Sequence, residues 1–177
     1  MQYLSMHITD IVQNSLNAHA TKIEIAIAIN TPANILCLTI TDNGLGMDQA
    51  FLKIATNPFT TTNITRNIGL GLSLLNQTSS LCNGFLNISS TVNISTKIHT
   101  QMQLNHINLP PMGNLAATIQ SAIVANPNVE IIFTYLKDAY EFKLSTAEIK
   151  QILDDIPLTE PAVVKWLRET LTNGIVL

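Results

Sequence analysis

The sequence predicts an α+β protein, with a mixed sheet carrying helices on one face and a small α+β segment after it. Three observations lead there. A helical repeat passes at once into a strand alternation, three more alternating segments follow before residue 108, and a Pro- and Gly-marked break then precedes a second set of helix and hairpin patterns.

Leu4, Ile8, Ile11, Val12 and Leu16 recur at helical spacing within a first helix reaching Ala18, and the run IEIAIAI from Lys22 to Ile29 alternates as a strand. Ile35 to Thr41 is a second strand, and the turn at Thr31, Pro32 and Asn34 makes the two an antiparallel hairpin. A Gly-containing loop spans Asp42 to Met47, and a short helix runs from about Asp48 to Ala55. The polar, aperiodic stretch TNPFTTTNITRN reads as a loop or lid; GLGLSLLNQTSSLC then opens a helix that Asn83 and Gly84 end. Phe85 to Val92 and Lys97 to Ile107 add two strands. Pro110, Pro111 and Gly113 mark a boundary, giving a domain over 1–108 and a C-terminal α+β subdomain over 113–177. There Asn114 to Ala125 suits a helix, Val129 to Tyr135 and Tyr140 to Leu144 suit a hairpin turning at Lys137 and Asp138, and STAE at Ser145 to Glu148 is a capping box. Two helices finish the chain, with Trp166 and Leu167 as packing anchors.

The 177 residues suffice for one buried core and are too few for a long multidomain enzyme. The chain is 46% hydrophobic and only 12% charged, so Asn and Thr, eighteen and twenty in number, supply much of its polar surface. Its longest apolar run, Ile25 to Ile29, is far below the ~20 residues of a membrane span, and its start lacks a signal pattern. The expectation is a cytoplasmic protein. The net charge of −3 lies after residue 104, and no basic field invites nucleic acid. Cys37 and Cys82 have no CxxC spacing and read as reduced and mostly buried thiols.

Three segments carry possible chemistry. In DIVQNSLNAHATKIEI, Asp10 and Asn14 are four apart on one helix face. An Asn oxygen is a hard neutral ligand suited to Mg²⁺, and Asp10 is placed to orient or deprotonate a water. In ITDNGLGM, a strand delivers Asp42 into a turn where Gly44 and Gly46 let a flat ligand approach the backbone. Asp42, acceptor-only when ionised, suits an amino group such as that of adenine. In RNIGLGLSLL, Gly69 and Gly71 open a helix whose free N–H groups suit phosphates, without the GK[ST] of a Walker loop or the third glycine of a dinucleotide fingerprint. Each segment alone also fits an ordinary helix face, turn or cap.

In this order, the three segments make residues 4–104 resemble the histidine-kinase-like (GHKL) ATPase superfamily, whose fold is a two-layer α/β sandwich. DIVQNSLNAHATKIEI is most similar to the mismatch-repair ATPases, and NPFTTTNITRNIGLGLSLL to the lid and glycine box of sensor histidine kinases. The resemblance implies that Asn14 binds the Mg²⁺ bridging the ATP phosphates and that Asp42 accepts from the adenine amino group, between Gly44 and Gly46. It also implies that Gly69, Leu70 and Gly71 offer N–H groups to the phosphates beneath Thr60, Thr61, Thr62 and Arg66 of the lid. Two departures stand out. Asp10 occupies a position that is usually Glu in hydrolysing members, and Asn63 stands where a Lys or Arg often follows PFTTT. His7 has no HExxxP pattern, so the usual histidine autophosphorylation is not expected, and it reads as a packing residue. The whole chain is similar to stand-alone ATP-binding proteins of anaerobic bacteria, often encoded beside iron-sulfur hydrogenase or NADH-oxidising subunits. These resemblances imply a Mg·ATP-binding regulatory protein that phosphorylates an unidentified protein partner or changes its affinity for that partner. The alternatives are an ATP-hydrolysing clamp that closes into a homodimer, and a nucleotide-binding module without chemistry.

Overall fold

A computed structural model of the chain describes residues 1–56 and 70–176. The described strands form one six-stranded sheet. β1 (Lys22–Asn30) pairs antiparallel with β2 (Ile35–Asp42), and β2 with β4 (Ser95–Gln103), which is flanked by β3 (Phe85–Thr91). On the other side of β1 lies β5 (Glu130–Lys137), parallel to it, and then β6 (Tyr140–Ser145), giving the order β3-β4-β2-β1-β5-β6. The turns form where the chain demands a left-handed residue: Asn34, Asn93 and Asp138 all have φ near +55°.

Period-2 alternation puts one residue set on one face. Ile23, Ile25, Ile27 and Ile29 of β1 join Leu36, Leu38 and Ile40 of β2 and Ile131, Phe133 and Tyr135 of β5 in the buried core. The core draws its helical side from α1 (Leu4–Asn17), α3 (Leu70–Leu81), α4 (Leu115–Ala125) and α6 (Pro161–Gly174). The short α2 (Gln49–Leu52) follows the glycine turn, and α5 (Thr146–Leu153) follows β6. Each fully buried Ile or Leu contributes roughly 1.5–3 kcal/mol, and the run of four on β1 fixes its register, since a one-residue slip would turn all four to the other face.

The segment expected to mark a boundary is knitted into the fold. Tyr3, the N-cap of α1, offers no side-chain cap. The helix's first N–H groups are instead satisfied by that segment, as Leu4 N–H donates to Pro111 O and Ser5 N–H to Met112 O, both at 3.0 Å. The C-terminal hairpin extends the same sheet, with β5 running beside β1 from Lys22↔Glu130 to Ile29↔Lys137. Gly174 lets α6 close on Phe142, whose ring a Cβ there would overlap. Trp166 is a correction to the expected anchors. It is 46% exposed while Leu167 is fully buried, because α6 buries Val163, Leu167, Leu171 and Gly174 and Trp166 stands off that stripe. Among the described residues no helix is long and apolar enough to cross a membrane.

Candidate functional site

The C-terminal half of α1 is the common wall on which the three sequence segments meet. Asp10 is partly exposed and Asn14 exposed on this helix, and neither side chain has a partner among the described residues. Ser15, the next residue, turns inward to 2% exposure, and its Oγ donates to Asp42 Oδ2 at 2.7 Å. Ala18 closes the helix, and its carbonyl accepts from Leu45 N–H at 2.8 Å.

Asp42 is the last residue of β2 and is 6% exposed. Its Oδ1 accepts from Gly44 N–H at 2.9 Å, so each carboxylate oxygen has one donor and keeps room for another. A carboxylate has about four lone-pair positions in all. Asn43 staples the turn to β1, accepting at Oδ1 from the N–H groups of Thr21 and Lys22 at 2.9 and 2.8 Å.

The two glycines of the turn differ in their reason. A Cβ at Gly44 would lie 2.6 Å from Ala18 O, so the turn can press against the end of α1 only without a side chain. Gly46 has φ +66°, and a Cβ there would strike the Thr91 carbonyl at the β3–β4 turn. That second contact is reinforced by Asn93 N–H donating to Leu45 O at 2.7 Å and Met47 N–H to Ser90 Oγ at 2.8 Å. The turn is thus fixed at both ends.

The glycine-opened helix reaches the same wall. A Cβ at Gly71 would stand 3.3 Å from Asp10 Cβ and 3.4 Å from its Oδ2, so the first turn of α3 lies directly against Asp10. α3 then passes along α1, where Thr78 Oγ1 lies 3.5 Å from His7 Nε2. His7 is fully buried with no partner at Nδ1, and burial, with the N-terminal ammonium adding to it, lowers its pKa to about 4. Leu70 lies in α3. Thr60, Thr61, Thr62, Arg66 and Gly69, like the expected lid, lie outside the described residues.

Two residues at this site were not picked out from the sequence. Ser15 sits in the buried stripe of α1, four residues after Ile11, where an apolar side chain is the norm; a polar residue there was the available signal. Thr96 stands directly across the ladder from Asp42, is 7% exposed and bonds Ser90 Oγ at 2.9 Å. Only the pairing of β2 with β4 reveals it.

Among the described residues no group of three or more His, Cys, Asp or Glu is placed to hold a metal. A groove of about 780 Å³ runs along the opposite flank of α1, between it and α4, where Ile8, Val12 and Leu16 face Ala117, Ala122 and Ala125. It includes neither Asp10, Asn14, Asp42 nor Gly71. Cys37 and Cys82 are unpaired thiols whose pKa burial raises.

A family model described as histidine kinase-, DNA gyrase B- and HSP90-like ATPase matches residues 2–106. A protein of Shewanella frigidimarina (strain NCIMB 400), named as a sensor protein, is 39% identical over 100 residues, which are 55% of this chain and 15% of that protein. Two solved structures share the fold. The N-terminal domain of a DNA repair protein aligns at TM-score 0.56 and 16% identity, over 82% of this chain and 52% of the other. The Aquifex aeolicus MutL ATPase domain, complexed with ADP, aligns at TM-score 0.51 and 15% identity, over 98% and 70%.

Proposed function

The chain belongs to the histidine kinase-, DNA gyrase B- and HSP90-like ATPase family, and from that premise we propose that it is a regulatory protein that binds ATP with Mg²⁺. The observation that carries this reading is the buried carboxylate of Asp42, held by Ser15 and Gly44 with acceptor capacity to spare. An adenine amino group satisfies such a carboxylate; the carbonyl that guanine presents at that place is repelled by it.

The donor chemistry suits the metal as well. Asn14 offers one hard oxygen without a partner among the described residues, and Mg²⁺ is ordinarily held by one or two protein oxygens together with substrate phosphates and waters. When bound, the ion neutralises phosphate charge. Around it, Asn14 orients the phosphates, and the N–H groups of Gly69, Leu70 and Gly71 bind them, with Thr60, Thr61, Thr62 and Arg66 as further contacts. The likeness to a sensor protein over 100 residues supports a regulatory role, exerted by phosphorylating a protein partner or by changing affinity for it with nucleotide state.

A second reading, hydrolysis coupled to a conformational change, is favoured by one feature: the Asp10 carboxylate has no partner among the described residues and lies against Gly71, where phosphates would approach α3. Calorimetry tests the binding. ATP should bind at least ~10-fold tighter than GTP, and Asp42→Asn should erase the difference; equal affinities in the parent protein would overturn the adenine pocket. Turnover that Asp10→Asn abolishes, with ATP affinity retained, would assign hydrolysis. Transfer of the γ-phosphate to a partner without such turnover would assign the kinase role.

A further inference from the structure

The sheet ends in two unlike edges. β6 exposes Glu141 and Lys143, charges of the kind that keep an edge from pairing with another chain. β3 has no charge and no proline, and none of residues 67–96 is Asp, Glu, Lys or Arg. Among the described residues β4 is its only paired strand. Leu86 and Ile88 pack toward the core from β3 yet stay only half-buried, as the end of a sheet leaves them. Leu81 and Phe85 at the start of the strand and Val92 and Ile94 just past its end are 54%, 47%, 49% and 62% exposed, apolar surface at both ends of one uncharged edge.

We infer that β3 is the surface through which two copies of this chain associate, edge to edge and antiparallel, into one continuous sheet. Symmetry selects the occupant. A two-fold contact sets the middle of the strand against itself, so any charge near the axis would face its own copy, and a strand free of charge escapes that repulsion. An edge shaped for an acidic or basic peptide would carry the opposite charge, and this one carries none. The glycine turn reaches the far end of the strand through the Met47–Ser90 hydrogen bond, and α2 also packs on β3, so the pairing is assigned to Phe85–Ser89 at the other end. In the register centred on Asn87, Leu86 of one copy meets Ile88 of the other on the helix-covered face, and both complete their burial there. Asn87 points to the exposed face, where it accepts substitution without touching the core.

Sedimentation velocity of the full chain between about 1 and 200 μM reads the association. The parent protein should dimerise in that range, and Asn87→Lys, which sets an ammonium against its own copy, should weaken the dimer at least ~10-fold while the melting curve of the dilute, monomeric chain stays unchanged. Lys143→Glu on the opposite edge should leave it intact. Amide exchange of the parent chain gives an independent readout, since protection along Phe85–Ser89 should rise with protein concentration. A parent chain monomeric throughout, a dimer indifferent to the lysine at 87, or concentration-dependent protection elsewhere with none on β3 would overturn the inference.

Discussion

Ser15 Oγ donates a 2.7 Å hydrogen bond to Asp42 Oδ2, joining the helix that carries Asn14 to the turn at the end of β2. Both groups are buried, so the bond is shielded from water and costly to break. Ser15→Ala should lower stability by about 1.5–3 kcal/mol, the range for a hydrogen bond to a charged group. It should also reduce preference for ATP over GTP, because Asp42 loses the contact that aims it. Urea denaturation and competition binding measure the two effects, and a variant as stable as the parent would mean that Ser15 does not hold the carboxylate.

Asn14 is exposed and has no partner among the described residues, so truncating it spares the fold. Asn14→Ala should weaken ATP binding in Mg²⁺ and leave it nearly unchanged in EDTA, since a lost oxygen ligand matters only when the ion is present. Equal losses in both buffers would assign Asn14 to direct nucleotide contact rather than to the metal.

Gly46 and Gly71 should respond differently to Ala. At Gly46 the new Cβ combines φ +66° with overlap of the Thr91 carbonyl, so the loss should exceed the ~1–2 kcal/mol of the left-handed conformation alone. At Gly71, in the first turn of α3 and without a positive φ, it meets Asp10 at 3.3 Å, which a shift of a few tenths of an ångström relieves, so the loss should be the smaller of the two. Thermal unfolding of the two variants ranks them; a Gly71 variant as unstable as the Gly46 one would contradict the tolerable spacing between α3 and Asp10.

His7 makes folding pH-dependent. Its pKa falls from 6.5 to about 4 on folding, so between those values the unfolded chain binds more protons and stability declines as pH drops. Above pH 6.5 the group contributes no slope. His7→Leu should flatten the stability curve between about pH 6.5 and 4, and an unaltered curve in that variant would exclude His7 as the source.

Truncation after Pro110 removes the Pro111 and Met112 carbonyls that complete the start of α1, together with β5, the parallel partner of β1. Cooperative unfolding should be lost, because Phe133, Tyr135 and Leu167 leave the core at the same time. A sharp melt in the shortened chain would show residues 1–110 to be self-sufficient.

The local elements were legible in the sequence because their causes are local. The 3.6-residue recurrence from Leu4 to Leu16 and the alternation from Lys22 to Ile29 state which side of each element faces the core, and the observed α1 and β1 follow them within a residue or two. The DNGLGM turn was legible too, since glycines are required wherever backbone must press against backbone, as Gly44 does on Ala18 and Gly46 on Thr91. Neighbours across the fold were not. Alternation tells a strand that it has a buried face but not which strand lies beside it, so only the tertiary structure set β5 against β1 and Thr96 opposite Asp42. Trp166 invited burial by its size, yet helix phase left it beside the stripe of Val163, Leu167 and Leu171. Ser15 shows the same division. Its place in an apolar stripe could be read from spacing, whereas the carboxylate that makes a buried hydroxyl tolerable arrives from 27 residues away, by a chain path that no local pattern encodes.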